Sequence, residues 1–104
     1  VMTIQTDGKY LLCPCCGETY LHHGAIDIFT RHEDAEETLH TSVTGFHTTT
    51  ALVKSDTVDN PSGRRYGLRI RFWCEVCGEE SALTLAQHKG NTHIEWETNN
   101  GTNT

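Results

Sequence analysis

Two short cysteine motifs of the same pattern are the feature that most constrains how this chain can fold. Residues 13–17 read Cys-Pro-Cys-Cys-Gly and residues 74–78 read Cys-Glu-Val-Cys-Gly, so each contains C-x-x-C-G. Two residues between the cysteines allow a tight turn to direct both sulfur atoms at one ion, and the glycine permits a left-handed backbone after the second cysteine. The pattern predicts one tetrahedral site with four thiolate ligands: Cys13, Cys16, Cys74 and Cys77.

The ligand set indicates which metal the site would hold. Four thiolates are characteristic of structural zinc sites, whereas catalytic zinc keeps an open position for water. We therefore expect one structural Zn²⁺ per chain, no catalytic residue and no enzyme activity. A disulfide-linked state of the same cysteines is the alternative.

The rest of the sequence suggests where the protein resides. It shows no secretory signal and no apolar run near the ~18 residues that a membrane span needs. We therefore expect a cytoplasmic protein with no membrane partner. In a reducing compartment, paired cysteines bind metal more often than they form disulfides.

The two motifs are far apart in the chain. Between Cys16 and Cys74 lie 57 residues, which is longer than the usual zinc-site spacer. Closing the longer loop costs only about 1 kcal/mol more, against about 10–16 kcal/mol contributed by a structural zinc site. The spacing therefore predicts that most of the domain is inserted between the two cysteine turns. Cys15 is expected to be a non-ligand thiol, with a redox or regulatory role as the alternative.

The inserted segment has the composition of β-strands. Residues 38–53 are dense in threonine and valine, which favour strands, and Gly45 marks a bulge or a turn within them. Residues 66–73 alternate strictly, which predicts a strand with its apolar face inward and its arginines outward. Further strands are predicted at 9–13 and 20–31, a loop at 54–63, and a hairpin of 81–88 with 92–97 around Lys89-Gly90-Asn91.

These patterns predict an all-β fold, a zinc ribbon with two C-x-x-C-G knuckles and a long antiparallel insertion between them. Residues 1–98 would form a single domain and residues 99–104 a polar flexible tail. Only 36% of the residues are hydrophobic, so the core is small for a chain of 104 residues. A metal would add the stability that such a core lacks.

The net charge and the local charge of the chain point to different binding partners. The net charge of −6 argues against general affinity for a phosphate backbone, although four of the eight basic residues lie within positions 64–71. Basic and aromatic side chains interleaved on one strand suit phosphate contact with base stacking. The alternative is a solvated strand surface whose arginines are neutralised by carboxylates in the same fold or across a dimer. The candidate nucleic-acid or partner-binding residues are Arg64, Arg65, Arg69, Arg71, Trp73 and Lys89, and the candidate carboxylates are Glu33, Asp34, Glu36 and Glu37.

Histidine is frequent but shows no ligand spacing. Adjacent His22 and His23 would point to opposite faces of a strand, so they cannot easily bind the same ion. We expect solvated or edge-strand histidines, with a second metal site or a proton-transfer site as the alternative; His32 beside Glu33 and Asp34 is the strongest local cluster. The seven are His22, His23, His32, His40, His47, His88 and His93.

Several segments resemble a known group of proteins. Residues 72–78 (Phe-Trp-Cys-Glu-Val-Cys-Gly), residues 83–92 (Leu-Thr-Leu-Ala-Gln-His-Lys-Gly-Asn-Thr) and Trp96 resemble small uncharacterised zinc-ribbon proteins encoded by bacteriophages and some bacteria. The similarity extends to residues 21–23, 31–34 and 60–62, and so covers most of the chain. It implies a β-sheet zinc-ribbon fold with bound metal, and no particular activity.

Three functions follow as hypotheses. The first is a non-enzymatic zinc-binding protein that acts through protein contacts, for example as a phage accessory factor, with a homodimer as a further option. The second is a nucleic-acid-binding zinc ribbon that uses residues 64–73 and Lys89. The third is an enzyme that uses histidines and carboxylates. The acidic net charge and the lack of a catalytic constellation favour a protein partner over nucleic acid.

Overall fold

The computed structural model describes residues 3–98, and its regular secondary structure is almost entirely β-strand. The predicted all-β fold is confirmed. Among the described residues, no helix is long and apolar enough to cross a membrane. The predicted tail at 99–104 lies outside the described residues. The elements are β1 (Thr6–Asp7), β2 (Tyr10–Leu11), β3 (Leu21–Thr30), β4 (Glu37–Thr44), β5 (His47–Lys54), a 3-10 turn (Ser55–Thr57), β6 (Gly67–Cys74), β7 (Glu80–His88) and β8 (Asn91–Thr98).

Six of the strands form one antiparallel sheet in the order β5-β4-β3-β6-β7-β8, while β1 and β2 form a separate ribbon. The predicted stretch 38–53 is a hairpin, because Gly45 has a φ of 60° and turns the chain between β4 and β5. Lys89 and Gly90 make the predicted turn between β7 and β8. The strands that pair across the longest stretch of sequence are β3 and β6, and their pairing brings the two halves of the chain together.

The register gives the sheet two chemically different faces, because directly opposed residues of antiparallel strands project to the same side. The apolar face carries Ile26, Ile28, Leu39, Val43, Leu52, Leu68, Ile70, Phe72, Leu83, Leu85, Ile94 and Trp96. The polar face carries Asp27, Phe29, His40, Gly67, Arg69, Arg71, Trp73, Glu80, Thr84, Glu95 and Glu97.

The loop at 55–66 packs on the polar face, against the middle of β6. The Ser62 hydroxyl donates to the Gln87 carbonyl over 2.9 Å, and the Arg69 guanidinium donates to the Asp59 carbonyl over 2.8 Å. A Cβ added to Gly67 would lie 2.0 Å from Oδ1 of Asn60, so the loop approaches this backbone closely. The predicted loop is therefore confirmed, extends to residue 66 and forms a second layer.

The predicted facing of the strand at 66–73 is wrong for Arg69. This side chain is buried, with 4% of its surface exposed, whereas the apolar neighbours in its strand are partly exposed. Burial is possible because the guanidinium contacts Glu97 at 3.1 Å and the Asp59 carbonyl at 2.8 Å. The face that looks solvent-exposed by sequence is the one that the loop covers.

Candidate metal centre

The two cysteine motifs form matching turns. In the first, the Gly17 amide donates to the Cys13 carbonyl over 3.0 Å, and in the second the Gly78 amide donates to the Cys74 carbonyl over 3.0 Å. Both glycines have a positive φ, 82° and 74°, which residues with a Cβ adopt only with strain. The glycine that follows each cysteine pair is thus used as the sequence predicts.

The four predicted ligands meet at one point. The sulfur atoms of Cys13, Cys16, Cys74 and Cys77 all lie within 4.8 Å of one another. The sulfurs of Cys13 and Cys77 are 3.8 Å apart, and those of Cys16 and Cys74 are 3.7 Å apart. A disulfide needs about 2.05 Å, so these cysteines are free thiols here, and the alternative of a disulfide-linked state does not describe this structure. The cluster could hold a metal ion.

Pairing of β3 with β6 positions the site. Leu21 pairs with Cys74 at the end of the ladder, and the Glu75 amide donates to the Tyr20 carbonyl over 3.0 Å. The chain that follows the first turn is therefore hydrogen-bonded to the second turn. The long spacer is folded into the sheet between them and leaves the cysteine pairs side by side.

Backbone amides favour the thiolate form of Cys74 most strongly. At Cys16 and Cys77 the hydrogen bonds from the Glu18 and Glu79 amides are outweighed by desolvation and by hydrogen bonds with neighbouring thiols, so the pKa values of these two cysteines are raised. The pKa of Cys74 is lowered from 9.0 to about 7, chiefly by a hydrogen bond from the Cys77 amide, with a further one from the Val76 amide. In the first turn the Cys15 amide donates to the Cys13 sulfur over 3.4 Å. Such bonds stabilise the thiolate, which is the form that coordinates metal.

Acidification should release the metal. Because binding requires deprotonated thiols and releases their protons, metal affinity falls as the pH falls. Because the pKa of Cys74 is lowered to about 7, competition from protons for this ligand grows as the pH falls below about 7. We expect titration of the metal-loaded protein with acid, followed by a chromophoric chelator, to show release on the acid side of neutrality. Metal retention unchanged down to about pH 4 would contradict thiolate ligation.

Cys15 lies outside the cluster. It occupies the place in the first turn that Val76 occupies in the second, and it is exposed. Partial desolvation, followed by the negative charge of neighbouring Cys13, raises its pKa from 9.0 to about 11. Among the described residues the geometry assigns only the other four cysteines to a possible metal site.

All four arginines proposed for binding contact a carboxylate within the fold. Arg64 donates to Asp34 over 2.7 and 2.8 Å, and its amino group also contacts Glu33 at 3.1 Å. Arg65 contacts Glu33 at 2.9 Å, while Arg69 is buried against Glu97. Neutralisation by Glu33 and Asp34 within the fold, the alternative left open by the sequence, is what the structure shows for Arg64 and Arg65.

The remaining candidates lie at opposite ends of the sheet. Arg71 is exposed, with Asp27 at 3.6 Å, and Trp73 is half exposed beside the His22 ring, whose centroid is 5.1 Å away. Lys89 lies in the turn after β7. Since Trp73 pairs with the first residue of β7, the whole length of that strand, about 27 Å, separates it from Lys89. The six candidates therefore do not form one continuous basic surface.

The histidines contact other side chains, and among the described residues none of them belongs to a group that could hold a metal ion. His40 accepts or donates a hydrogen bond with Asp27 over 3.0 Å and stacks on Phe29 with a centroid distance of 4.7 Å. His22 bonds to Glu75, and His88 packs on His93. Within residues 3–98, His32 and its acidic neighbours belong to no metal-holding group.

A cavity of about 510 Å³ lies near the end of the sheet that carries the four clustered cysteines. There a bulge in β3 between His23 and Ile26 interrupts the pairing with β6. The lining of the cavity includes Arg71, Trp73 and Glu80 together with Glu97. Sequence reasoning missed the two glutamates, because their proximity to Trp73 depends on the register of three strands. Glu80 lies directly opposite Trp73, which only the β6–β7 pairing reveals.

Comparisons with protein-family models, curated proteins and solved structures find no match to this chain.

Proposed function

We propose that the protein is a non-enzymatic zinc-binding module whose metal joins the two cysteine turns. This proposal rests on the distances between the sulfur atoms of the four cysteines. A tetrahedral site with Zn–S bonds of about 2.3 Å needs sulfur atoms about 3.8 Å apart. The Cys13–Cys77 and Cys16–Cys74 separations of 3.8 and 3.7 Å match that value.

A structural role for the zinc follows from the number of ligands. Four thiolates complete the coordination shell and leave no position for a water or a substrate. Bound Zn²⁺ would supply cross-linking of the two turns, while the amides of Cys15, Val76 and Cys77 spread the thiolate charge. The zinc then fixes the end of the sheet at which Trp73 lies.

The cavity beside Trp73 would be the surface through which the protein binds its partner. That partner would be a protein with basic side chains. Trp73 offers an exposed aromatic face, and Glu80 lies directly opposite it at the rim of the cavity. A lysine or arginine side chain of a partner could stack on the indole ring and pair with a carboxylate. The chain's net charge of −6 attracts such a partner over a longer range. If the resemblance to phage-encoded proteins holds, the partner would be a protein of the host.

Nucleic-acid binding is the less favoured function. Phosphate contacts need several available cations, and Arg64, Arg65 and Arg69 already contact carboxylates. Arg71 is more exposed but lies 3.6 Å from Asp27, and acidic Glu80 and Glu97 line the same cavity. An enzyme using histidines and carboxylates receives no support from a cluster among the described residues.

Two labelled probes separate these functions in one fluorescence-anisotropy experiment on the zinc-loaded chain. We expect an arginine-rich peptide to bind, and a single-stranded oligonucleotide not to bind even at about 50 mM salt. Trp73→Leu and Glu80→Gln should each weaken peptide binding by about tenfold, because each removes one half of the cation site.

Tyr10→Leu serves as the control, since Tyr10 is an exposed aromatic residue on the separate β1–β2 ribbon. It should bind the peptide as the wild type does. Oligonucleotide binding that falls steeply with salt and is lost in Arg71→Ala would favour the second function instead. Equal affinity for an arginine-rich and a glutamate-rich peptide would remove the proposed cation site.

A further inference from the structure

The polar face of the sheet continues past the cavity towards the cysteine turns. There the Glu75 amide donates to the Tyr20 carbonyl over 3.0 Å, one step beyond the end of the β3–β6 ladder. Antiparallel pairing therefore places Tyr20 directly opposite Glu75, just as Trp73 lies directly opposite Glu80. An aromatic residue opposed to a glutamate thus occurs twice at this end of the sheet.

The two aromatic residues lie on the same face as diagonal neighbours. Alternate residues of a strand share a face, so Tyr20 lies on the face of His22, and Glu75 lies on the face of Trp73. Two contacts between β3 and β6 agree with this placement: His22 bonds to Glu75, and the centroids of the His22 and Trp73 rings are 5.1 Å apart. Diagonal neighbours in an antiparallel pair are separated by about 7–8 Å.

Both aromatic–glutamate pairs are accessible to a partner. The exposed fraction is 56% for Tyr20 and 49% for Trp73. Glu80 is exposed, and the Glu75 side chain is 51% exposed although it bonds to His22. A carboxylate has two oxygen atoms with several lone pairs, so Glu75 can accept from a second donor while it contacts His22. Each pair therefore offers a ring face and a carboxylate to a cation.

The charges around Trp73 favour one direction for a second cation. Two residues before Trp73 on the same strand is Arg71, which would repel a cation and lies 3.6 Å from Asp27. In the other direction come Tyr20 and Glu75, and then the cysteine turns, where Zn²⁺ bound by four thiolates leaves a net negative charge. A second cation is therefore stabilised on the Tyr20 side of Trp73.

We infer that this surface binds an extended segment of the partner with two basic side chains at positions i and i+2. The first occupies the site at Trp73 and Glu80, so the inference rests on the proposed function. The second stacks on Tyr20 and pairs with Glu75. Alternate side chains of an extended segment are about 6.6–6.8 Å apart, which is close to the separation of diagonal neighbours. Adjacent basic residues project to opposite sides, so only one of them would reach the surface.

Two labelled peptides of identical composition test this spacing by fluorescence anisotropy on the zinc-loaded chain. One contains Arg-Ser-Arg and the other Arg-Arg-Ser within the same uncharged flanking sequence, so their net charges are equal. We expect the wild type to bind the Arg-Ser-Arg peptide about tenfold more tightly, because only this peptide adds a second cation–π contact and a second ion pair.

Variants of the second pair show whether that preference arises at Tyr20. Tyr20→Leu and Glu75→Gln should each reduce the preference to about threefold or less, whereas Tyr20→Phe keeps a ring and should retain most of it. Trp73→Leu should weaken the binding of both peptides. Tyr66→Leu is the matched control, because Tyr66 is an exposed tyrosine at the other end of β6, and it should keep the wild-type preference.

The outcomes separate this inference from the proposed function. If the wild type binds both peptides equally and Trp73→Leu weakens both, the proposed function stands and the second cation position is overturned. A preference that survives in both Tyr20→Leu and Glu75→Gln would also overturn it. If neither peptide binds the wild type, the proposed function and this inference both fail.

Discussion

Cys16→Ser should lose the metal and most of the folded structure. Serine is a poor zinc ligand, and three thiolates hold the ion far less tightly than four. A structural zinc site contributes about 10–16 kcal/mol, which is as large as the whole net stability of a typical domain, about 5–15 kcal/mol. Metal content by atomic emission should fall from one ion per chain to near none, and the β-sheet signal in circular dichroism should fall with it.

Cys15→Ser is the matched control for that variant. Cys15 is adjacent to Cys16 in the same turn, but its sulfur lies outside the four-cysteine cluster. The metal content and the circular dichroism of this variant should equal those of the wild type. Stoichiometric zinc in Cys16→Ser, or loss of zinc in Cys15→Ser, would show that the ligands are assigned wrongly.

Gly67→Ala should have the second-largest effect. The added Cβ would lie 2.0 Å from Oδ1 of Asn60 and 3.0 Å from Cδ of Pro61. Asn60 cannot move away freely, because its Oδ1 accepts from the Ser62 amide and its Nδ2 donates to the Arg65 carbonyl. We expect the free energy of unfolding to fall by about 1–3 kcal/mol, as in other overpacked sites, measured by urea denaturation of the zinc-loaded protein.

Gly63→Ala provides the comparison for this change. Gly63 lies in the same loop, and a Cβ built on it meets nothing within 4 Å. Its free energy of unfolding should stay within about 0.5 kcal/mol of that of the wild type. If Gly67→Ala were equally mild, the loop at 55–66 would not be packed on the sheet as described, and the burial of Arg69 would need another explanation.

The four clustered cysteines could be predicted from the sequence because each pair depends on local spacing. The turn from Cys74 to Gly78 places its own two sulfurs, and the identical pattern at Cys13 predicts the second half of the site. Strand positions were also accessible, since β-branched runs and the glycine at position 45 act within a few residues. These features need no knowledge of which strands become neighbours.

The burial of Arg69 could not be predicted from the sequence for the opposite reason. An alternating pattern tells which residues share a face, but not which face another segment will cover. The covering segment here is a polar loop, and it satisfies the guanidinium through the Asp59 carbonyl while Glu97 supplies the counter-charge. The same limitation applies to the cavity, because Glu80 becomes a neighbour of Trp73 only through the register of β6 with β7.

The distance between the two cysteine turns has a consequence during synthesis. Cys74 is added to the growing chain 58 residues after Cys16, and at the usual ~5–20 residues per second this takes about 3–12 s. Throughout that time Cys13, Cys15 and Cys16 are three neighbouring thiols without the other half of their site. A nascent chain made under oxidative stress is therefore open to a wrong disulfide among these three, before β3 and β6 can pair.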